Sequence, residues 1–279
     1  MRVQFFASCL VELLRPDVGA ATERVLRAAG HEPVPVTGAT CCGQPAYNAG
    51  YAAEARRVAR RTLRALGDGE TTCVVASGSC ATMMSHHWPE LFEGTADADA
   101  ARRAAARTVE LTAFLTGSAA AVISKDRSQP AGGEPGLGVE TPVPAGPGED
   151  RPLPPTGGGD EPSRAIGAGG AVVVHDSCHA LRELGAGTTV RRALSDAGRT
   201  PTDAEGTERC CGFGGSFSVK MPGVSVAMAD EKLDNFAATG CEQVTSCDLS
   251  CLLHLQGRAR RRGMELRFDH VATLLDRRT

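Results

Sequence analysis

Eight of the 11 cysteines in this 279-residue chain form two matched sets of four. The first set is Cys9, Cys41, Cys42 and Cys80, and the second set is Cys178, Cys210, Cys211 and Cys251. In both sets 31 residues lie between the first two cysteines, and 37 or 39 residues separate the last two. Burial alone would not repeat these distances, so the spacing predicts two related modules, each with a metal or cluster site.

Each set lies in the same order of predicted elements. A short apolar run, Arg2–Cys9 or Ala171–Cys178, is typical of a strand and ends in Ser-Cys. A helix, a second strand, a Cys-Cys-Gly loop, another helix and a third strand follow, and the third strand again leads to Ser-Cys. This alternation predicts an α/β fold with two pseudo-symmetric modules, each a parallel sheet flanked by helices. Sites in such folds lie beyond the carboxyl ends of the strands, where distant cysteines can converge.

The segment between the modules has a different composition. Residues 118–170 contain 12 Gly and 9 Pro among 53 residues, and neither Cys nor His. This composition predicts a flexible linker that joins a first module at 1–117 to a second at 171–279. The helical period of Ala98–Phe114 predicts a helix that closes the first module, and Phe268–Leu275 closes the second.

Charge and hydropathy exclude several classes of function. The formal net charge is -3 and aromatic residues make up 4% of the chain, so nothing indicates nucleic-acid binding. We expect no transmembrane segment, because no apolar run approaches the length of a membrane span. The N-terminal residues lack the pattern of a secretory signal, which favours a cytoplasmic protein whose cysteines are not paired in disulfides.

Four thiolates suit either a tetrahedral zinc ion or an iron–sulfur cluster. Neighbouring side chains point apart along an extended chain, so Cys41-Cys42 and Cys210-Cys211 are awkward ligands for one zinc ion. A cluster contains several irons, and two neighbouring thiolates can bind different ones. Gly43 and Gly212 would permit a tight turn beside a bulky inorganic core. The pattern therefore favours an iron–sulfur cluster over zinc, with one or two per chain.

These motifs resemble those of the cysteine-rich CCG-domain family. The segments that carry the resemblance are Phe6-Ala-Ser-Cys-Leu-Val-Glu12, Cys41-Cys-Gly-Gln-Pro-Ala-Tyr-Asn-Ala-Gly-Tyr51, Ser79-Cys80, Cys210-Cys-Gly-Phe-Gly-Gly-Ser-Phe-Ser-Val-Lys220 and Ser250-Cys251. The family includes the heterodisulfide reductase B subunit, the glycolate oxidase iron–sulfur subunit and the lactate utilization A proteins, and the likeness is greatest to the last group. It covers both modules and omits only the linker.

The resemblance implies a function that spacing alone does not. It implies an iron–sulfur electron-transfer subunit, with 4Fe–4S clusters, in a cytoplasmic complex that oxidises L-lactate to pyruvate. Lactate utilization protein B-like and C-like proteins would be its partners, and the chain would not be an oxidoreductase on its own. A catalytic subunit acting on disulfides, a glycolate oxidase subunit and a non-redox zinc scaffold remain alternatives. No residue is identified as catalytic, because the sequence contains no flavin-binding, hydride-binding or nucleophile-plus-base pattern.

The chain departs from the broader family pattern at one position in each module. That pattern ends in Cys-x-x-Cys, but Ser77 and Asp248 stand where the first of these cysteines would be. The noncubane clusters that heterodisulfide reductase implies use this fifth cysteine, so the departure favours a single four-iron cluster per site. Asp248 could complete a site, although capping of the helix that follows it is the favoured interpretation.

Four residues are additional metal-binding candidates: Cys247, Asp248, His175 and His179. Cys247 lies four residues before Cys251, and the two histidines flank Cys178. A histidine can bind a cluster or donate a hydrogen bond to a thiolate, but a loop role is equally open. Cys73 and Cys241 begin strands, where burial in the sheet is the favoured interpretation.

Overall fold

A computed structural model of the chain describes residues 1–118 and 170–276. Except for its two end residues, the predicted linker at 118–170 lies outside the described residues. The first module contains strands β1 (Arg2–Phe6), β2 (Glu32–Pro35), β3 (Cys73–Val75) and β4 (Thr108–Glu110), with helices α1 (Cys9–Leu14), α2 (Pro16–Ala28), α3 (Gln44–Asn48), α4 (Ala52–Leu66), α5 (Gly78–Thr82), α6 (Trp88–Leu91), α7 (Ala98–Ala106) and α8 (Leu111–Leu115). A π-helical turn, Met83–His87, joins α5 to α6.

The second module repeats the same plan with fewer helices. Its strands are β5 (Ala171–Val174), β6 (Thr200–Thr202), β7 (Gln243–Ser246) and β8 (Arg267–His270), and its helices are α9 (Cys178–Leu184), α10 (Gly187–Asp196), α11 (Ser216–Lys220), α12 (Pro222–Ala238), α13 (Leu249–Arg261) and α14 (Val271–Leu275). The strand orders are β2-β1-β3-β4 and β6-β5-β7-β8, and all pairs are parallel. The predicted α/β fold with two parallel sheets flanked by helices is confirmed.

The first strand of each module lies at the centre of its sheet. In β1, Val3, Phe5 and Phe6 are buried, as expected for a parallel strand covered on both faces. The edge strand β2 contains Pro33 and Pro35, which lack the N–H group that a strand paired on both sides would need. These prolines therefore fix β2 at the edge and β1 inside.

Helix α2 shows why the sequence folds as it does around each sheet. Pro16 is its first residue, and Val18, Val25 and Leu26 form its buried face. Gly30 then adopts a φ of 82°, a left-handed conformation that suits glycine and ends the helix. The longest helix among the described residues, α12, has 17 residues. Across the two described ranges, no helix is both long and apolar enough to span a membrane.

The prediction of one helix over Ala98–Phe114 was wrong. Helix α7 ends at Ala106, and Thr108–Glu110 then forms β4, paired with β3, before α8 begins. The β-branched Thr108 and Val109 pack in the sheet, but three residues are too few to interrupt the helical period of an alanine-rich segment. The corresponding strand of the second module is β8, which precedes the short helix α14.

The two modules pack tightly against each other. Helix α2 packs against α14, and its counterpart α10 packs against α8, so the two contacts are related by pseudo-symmetry. Phe6 and Trp88 of the first module share a buried apolar cluster with Val172 and Leu194 of the second. Burial of this common surface holds the modules together.

Candidate metal centres

The four cysteines of the first set come together at the carboxyl end of the β1–β3 sheet. Cys9 is the first residue of α1, and Cys80 lies in α5, directly beyond the ends of two adjacent parallel strands. The Sγ atoms of Cys42 and Cys80 are 3.4 Å apart. The thiols of Cys9 and Cys42 also lie close enough to Cys41 to lower its pKa. The sequence-distant thiols are therefore contiguous, and none is in a disulfide.

The second set has the same arrangement. Cys178 is the first residue of α9, and Cys251 lies in the first turn of α13. The thiols of Cys178 and Cys211 lie close enough to Cys210 to lower its pKa, and Cys251 lies close enough to Cys211 to raise the pKa of Cys211. The structure thus brings all eight candidate cysteines into two groups of four.

Gly43 and Gly212 are required by the helices that follow them. Their φ angles are 93° and 88°, and an added Cβ atom would lie 2.8 Å from the Ala55 carbonyl oxygen or 2.6 Å from that of Ser225. The close approach of helix α4 or α12 thus requires a residue without a Cβ atom, and the expected approach of these glycines to an inorganic core stays a prediction. The backbone N–H of each glycine also donates to a thiol, Cys41 or Cys210, at 3.4 Å.

Crowding of the thiols strongly affects their ionisation. Hydrogen bonds from Cys42 and Cys9 hold the pKa of Cys41 well below its usual range, and those from Cys178 and Cys211 do the same for Cys210. The same hydrogen bonds raise the pKa of the donating thiols. Each group therefore stabilises one thiolate, and several thiolates would repel each other unless a bound cation offset their charge.

The donor chemistry fits a thiolate-bound metal group. Four converging sulfur donors without a disulfide suit zinc or an iron–sulfur cluster, which are the usual partners of soft ligands. The donor set alone is therefore compatible with both kinds of group.

His175 is the additional candidate that lies closest to a thiol group. One of its ring nitrogens and the Sγ atoms of Cys211 and Cys251 all lie within 4.8 Å of one another. The side chain is fully buried, and neither ring nitrogen has a hydrogen-bond partner. Burial lowers its pKa to about 3, so the imidazole is neutral. An unpaired buried polar atom costs roughly 1–3 kcal/mol, which makes this histidine unusual.

His179 has a more peripheral position. Its Nδ1 atom is 3.6 Å from the Sγ atom of Cys178, a distance suited to a weak hydrogen bond with sulfur. The ring is half-buried on the first turn of α9. It can modulate the Cys178 thiolate without being a ligand.

Asp248 and Ser77 are engaged in helix capping rather than with the thiols. Asp248 is the N-cap residue of α13, but its side chain makes no capping hydrogen bond to that helix. The prediction that it caps α13 was therefore wrong. Its carboxylate accepts the backbone N–H of Ser79 at 2.9 Å, in helix α5 of the other module. The Ser77 hydroxyl accepts the N–H of Cys80 in the same helix. Neither side chain is therefore free to act as the fifth ligand of a site.

The three remaining cysteines do not take part in the thiol contacts that define the two groups. Cys247 is buried, and its carbonyl oxygen accepts the backbone N–H of Gly78 at 3.0 Å. Cys73 is buried in β3, where burial raises its pKa to about 12. Cys241 is only half-buried and precedes β7, so the prediction that it is buried within the sheet was wrong.

Lys232 positions the second site and was missed by the sequence analysis. Its buried ammonium group donates to the carbonyl oxygens of Gly206 and Thr207, in the loop that leads to Cys210. In the first module the hydroxyl of Thr62 donates to the Cys41 carbonyl oxygen at 3.0 Å. An alignment of the two repeats places Lys232 opposite Thr62. A charged residue at the position of this threonine was the sequence signal that could have identified Lys232.

Comparison with known proteins agrees with the repeat. The profile of the family described as CCG: Cysteine-rich domain matches residues 3–85 and 172–256. The chain is 34% identical over 280 residues to lactate utilization protein A of Bacillus subtilis, and 33% identical over 281 residues to that of Bacillus cereus, with full coverage of both proteins. It is 32% identical to lactate utilization protein A of Macrococcus caseolyticus, covering 99% of this chain and 96% of the relative. The two matched domains, the two thiol groups and this full-length similarity establish that the chain belongs to the cysteine-rich CCG-domain family.

Proposed function

We propose that this protein is the iron–sulfur electron-transfer subunit of a cytoplasmic complex that oxidises L-lactate to pyruvate. The observation that carries the proposal is the convergence of two groups of four free thiols in a chain that matches lactate utilization protein A over its full length. An iron–sulfur electron-transfer subunit needs thiolates as cluster ligands, and none of these cysteines is in a disulfide.

The proposed role of the cysteines is to hold one cluster in each module. Cys9, Cys41, Cys42 and Cys80 would bind the first, and Cys178, Cys210, Cys211 and Cys251 would bind the second. A bound 4Fe–4S cluster supplies one-electron oxidation and reduction. The backbone N–H groups of Gly43 and Gly212 donate to thiols in both sites, and such hydrogen bonds tune the potential of a sulfur-bound centre.

The substrate would be oxidised elsewhere in the complex. The proposed partners are proteins that resemble lactate utilization proteins B and C, and the chain would act as a non-autonomous oxidoreductase subunit. Ser77 and Asp248 support this over a disulfide-cleaving subunit. Both are occupied as helix caps, so neither supplies a ligand at the position where heterodisulfide reductase has its fifth cysteine.

A zinc-bound scaffold is the second candidate. The 3.4 Å separation of the Cys42 and Cys80 Sγ atoms favours it, because the sulfur ligands of one zinc ion lie close together. The comparison with lactate utilization proteins carries no support for it, so it ranks below the electron-transfer function.

The deciding experiment is metal analysis of protein purified without oxygen. Iron and acid-labile sulfide in near-equal amounts, with an electron paramagnetic resonance signal on reduction, would support the proposal. The substrate is tested by mixing the protein with its B-like and C-like partners and L-lactate. Reduction of the protein by lactate would support L-lactate as the substrate of the complex. Zinc without iron or sulfide in the anaerobic sample would refute the electron-transfer function and favour the scaffold.

A further inference from the structure

His175 and Phe6 occupy equivalent positions in the two modules. Each lies three residues before the first cysteine of its set. Phe6 is the last residue of β1, and His175 directly follows β5. Both side chains are only 1% exposed. Phe6 belongs to the same buried apolar cluster as Cys42 and Cys80, so a hydrocarbon ring stands at this position of the first module. The second thiol group is bordered by an imidazole instead.

The surroundings of His175 leave its two ring nitrogens without a protein partner. Its backbone N–H donates to the Thr245 carbonyl oxygen at 2.8 Å, which fixes the residue beside β7. Its ring contacts Phe236 with a centroid distance of 6.4 Å. Lys232 is nearby, but its ammonium group is already bound to two loop carbonyls. Buried nitrogens in native proteins usually have a partner, so a missing one indicates a group that binds there.

The available partner is the metal group of the second set. The ring nitrogen of His175 lies within 4.8 Å of the Sγ atoms of both Cys211 and Cys251, and no other described group of three metal-ligating side chains is as compact. A neutral imidazole and thiolates are compatible ligands for iron and for zinc. In the first module Phe6 stands at the position of His175, so only thiols are available there as ligands.

We propose that His175 is a ligand of the metal group in the second module, so that the two centres differ chemically, one bound by thiolates alone and the other by thiolates and an imidazole nitrogen. This inference rests on the part of the proposed function that places a metal group in the second set. The asymmetry arises from one exchange between repeats, phenylalanine in the first and histidine in the second.

The test uses protein in which histidine alone carries nitrogen-15, purified anaerobically and reduced to the paramagnetic state. Pulsed electron paramagnetic resonance then detects a histidine nitrogen bonded to the centre as a strong nitrogen-15 coupling. We expect this coupling in the wild-type protein, and we expect its loss in His175→Phe, which copies the residue of the first module. His179→Phe is the matched variant, since it removes the imidazole beside Cys178, and it should retain the coupling.

The outcomes separate the inference from the proposed function. A wild-type protein with iron, sulfide and a reducible signal but no strong nitrogen coupling would overturn the inference and leave the function intact. A coupling that persists in His175→Phe, or that disappears in His179→Phe, would overturn it as well. The wild-type measurement does not depend on whether either variant folds.

If the anaerobic protein binds zinc and no iron, the proposed function fails, and the ligand assignment is tested with Co²⁺ in place of zinc. A change in the visible Co²⁺ absorption of His175→Phe, with the spectrum of His179→Phe unchanged, would support the assignment. Identical spectra for wild type and His175→Phe would overturn it.

Discussion

The carboxylate of Asp248 accepts the backbone N–H of Ser79 at 2.9 Å and the Ser79 hydroxyl at 3.0 Å, so a residue of the second module caps a helix of the first. The same carboxylate accepts the hydroxyl of Ser177 at 2.8 Å. Asp248 is 2% exposed, and water cannot replace these contacts. The helix that it caps carries Cys80, so the geometry of the first thiol group depends on the second module.

Replacing Asp248 with asparagine should destabilise the protein. The amide retains the size of the side chain but supplies only one acceptor oxygen for several buried donors, and we expect a loss of about 2 kcal/mol in the free energy of unfolding. Urea denaturation of the metal-free protein measures this. Asp99→Asn is the matched control, because Asp99 pairs only with a neighbouring arginine on the surface of α7. Equal midpoints for the two variants would contradict the role given to Asp248.

Gly78→Ala should weaken the contact between the modules. An added Cβ atom would lie 2.6 Å from the Cβ atom of Ala180 and 3.0 Å from the Sγ atom of Cys247, both in the second module. Overpacking of this kind costs about 1–3 kcal/mol, despite the better helix propensity of alanine.

The control for that substitution is Gly257→Ala. Gly257 lies inside α13, is exposed, and has open space where the Cβ atom would be placed. Alanine there should raise the free energy of unfolding by about 1 kcal/mol, because it favours the helix without a clash. Thermal unfolding should therefore shift in opposite directions for the two alanine variants, and a stabilised Gly78→Ala protein would show that the modules separate easily at this point.

Single substitutions in the two thiol groups should act independently on the bound metal. Cys42→Ser and Cys211→Ser each remove one buried sulfur from a different group, so each should lower the bound iron by about half when both sites are filled. Iron and sulfide analysis with the visible absorbance of the anaerobic protein measures the loss. Cys241→Ser should retain the wild-type content, because Cys241 lies outside both groups. Full iron content in both of the first two variants would remove these residues from the ligand set.

Glu110 should make the stability of the protein depend on pH. Its side chain is buried at the end of β4, and burial raises its pKa to about 7. The folded protein therefore keeps a proton that the unfolded chain releases near pH 4.5, and the stability that Glu110 contributes falls as the pH rises from about 4.5 to about 7. Glu110→Gln should remove this decrease while it preserves the cap of α8, whose N–H groups bind Oε2.

The pH measurement requires a comparison between variants. Burial lowers the pKa of His270 to about 4, and a lowered histidine pKa makes stability rise with pH between about 4 and 6.5, opposite in sign to the effect of Glu110. Urea midpoints of wild type and Glu110→Gln across about pH 5–8 isolate the contribution of the glutamate, since His270 is common to both. Parallel curves would show that Glu110 is ionised throughout this range in the folded protein.

The sequence contains enough information to predict the sheets and the two groups of cysteines. The position of each Ser-Cys at the end of an apolar run is local information, and the parallel sheet brings these ends together. Strand β4 is too short to show a period of its own, so it was absorbed into a predicted helix. Local patterns therefore indicate most helices and strands but can miss a strand as short as β4.

The contacts between modules could not be predicted in this way. That Asp248 would cap α5, and not its own helix, depends on how two separate sheets pack. The same is true of His87, whose Nε2 atom lies 2.7 Å from the Glu183 carboxylate of the other module. Such pairs are defined only after the tertiary structure has formed, and no spacing along the chain encodes them.

The apolar cluster that contains both Trp88 and Leu194 has a consequence for how the molecule is assembled. Neither half can bury its share of this surface alone, so each half expressed separately would expose it and aggregate. The two halves made together as unconnected polypeptides should instead recognise each other and reconstitute one cooperative unit. The covalent connection would then set the local concentration of one half near the other rather than define the native arrangement.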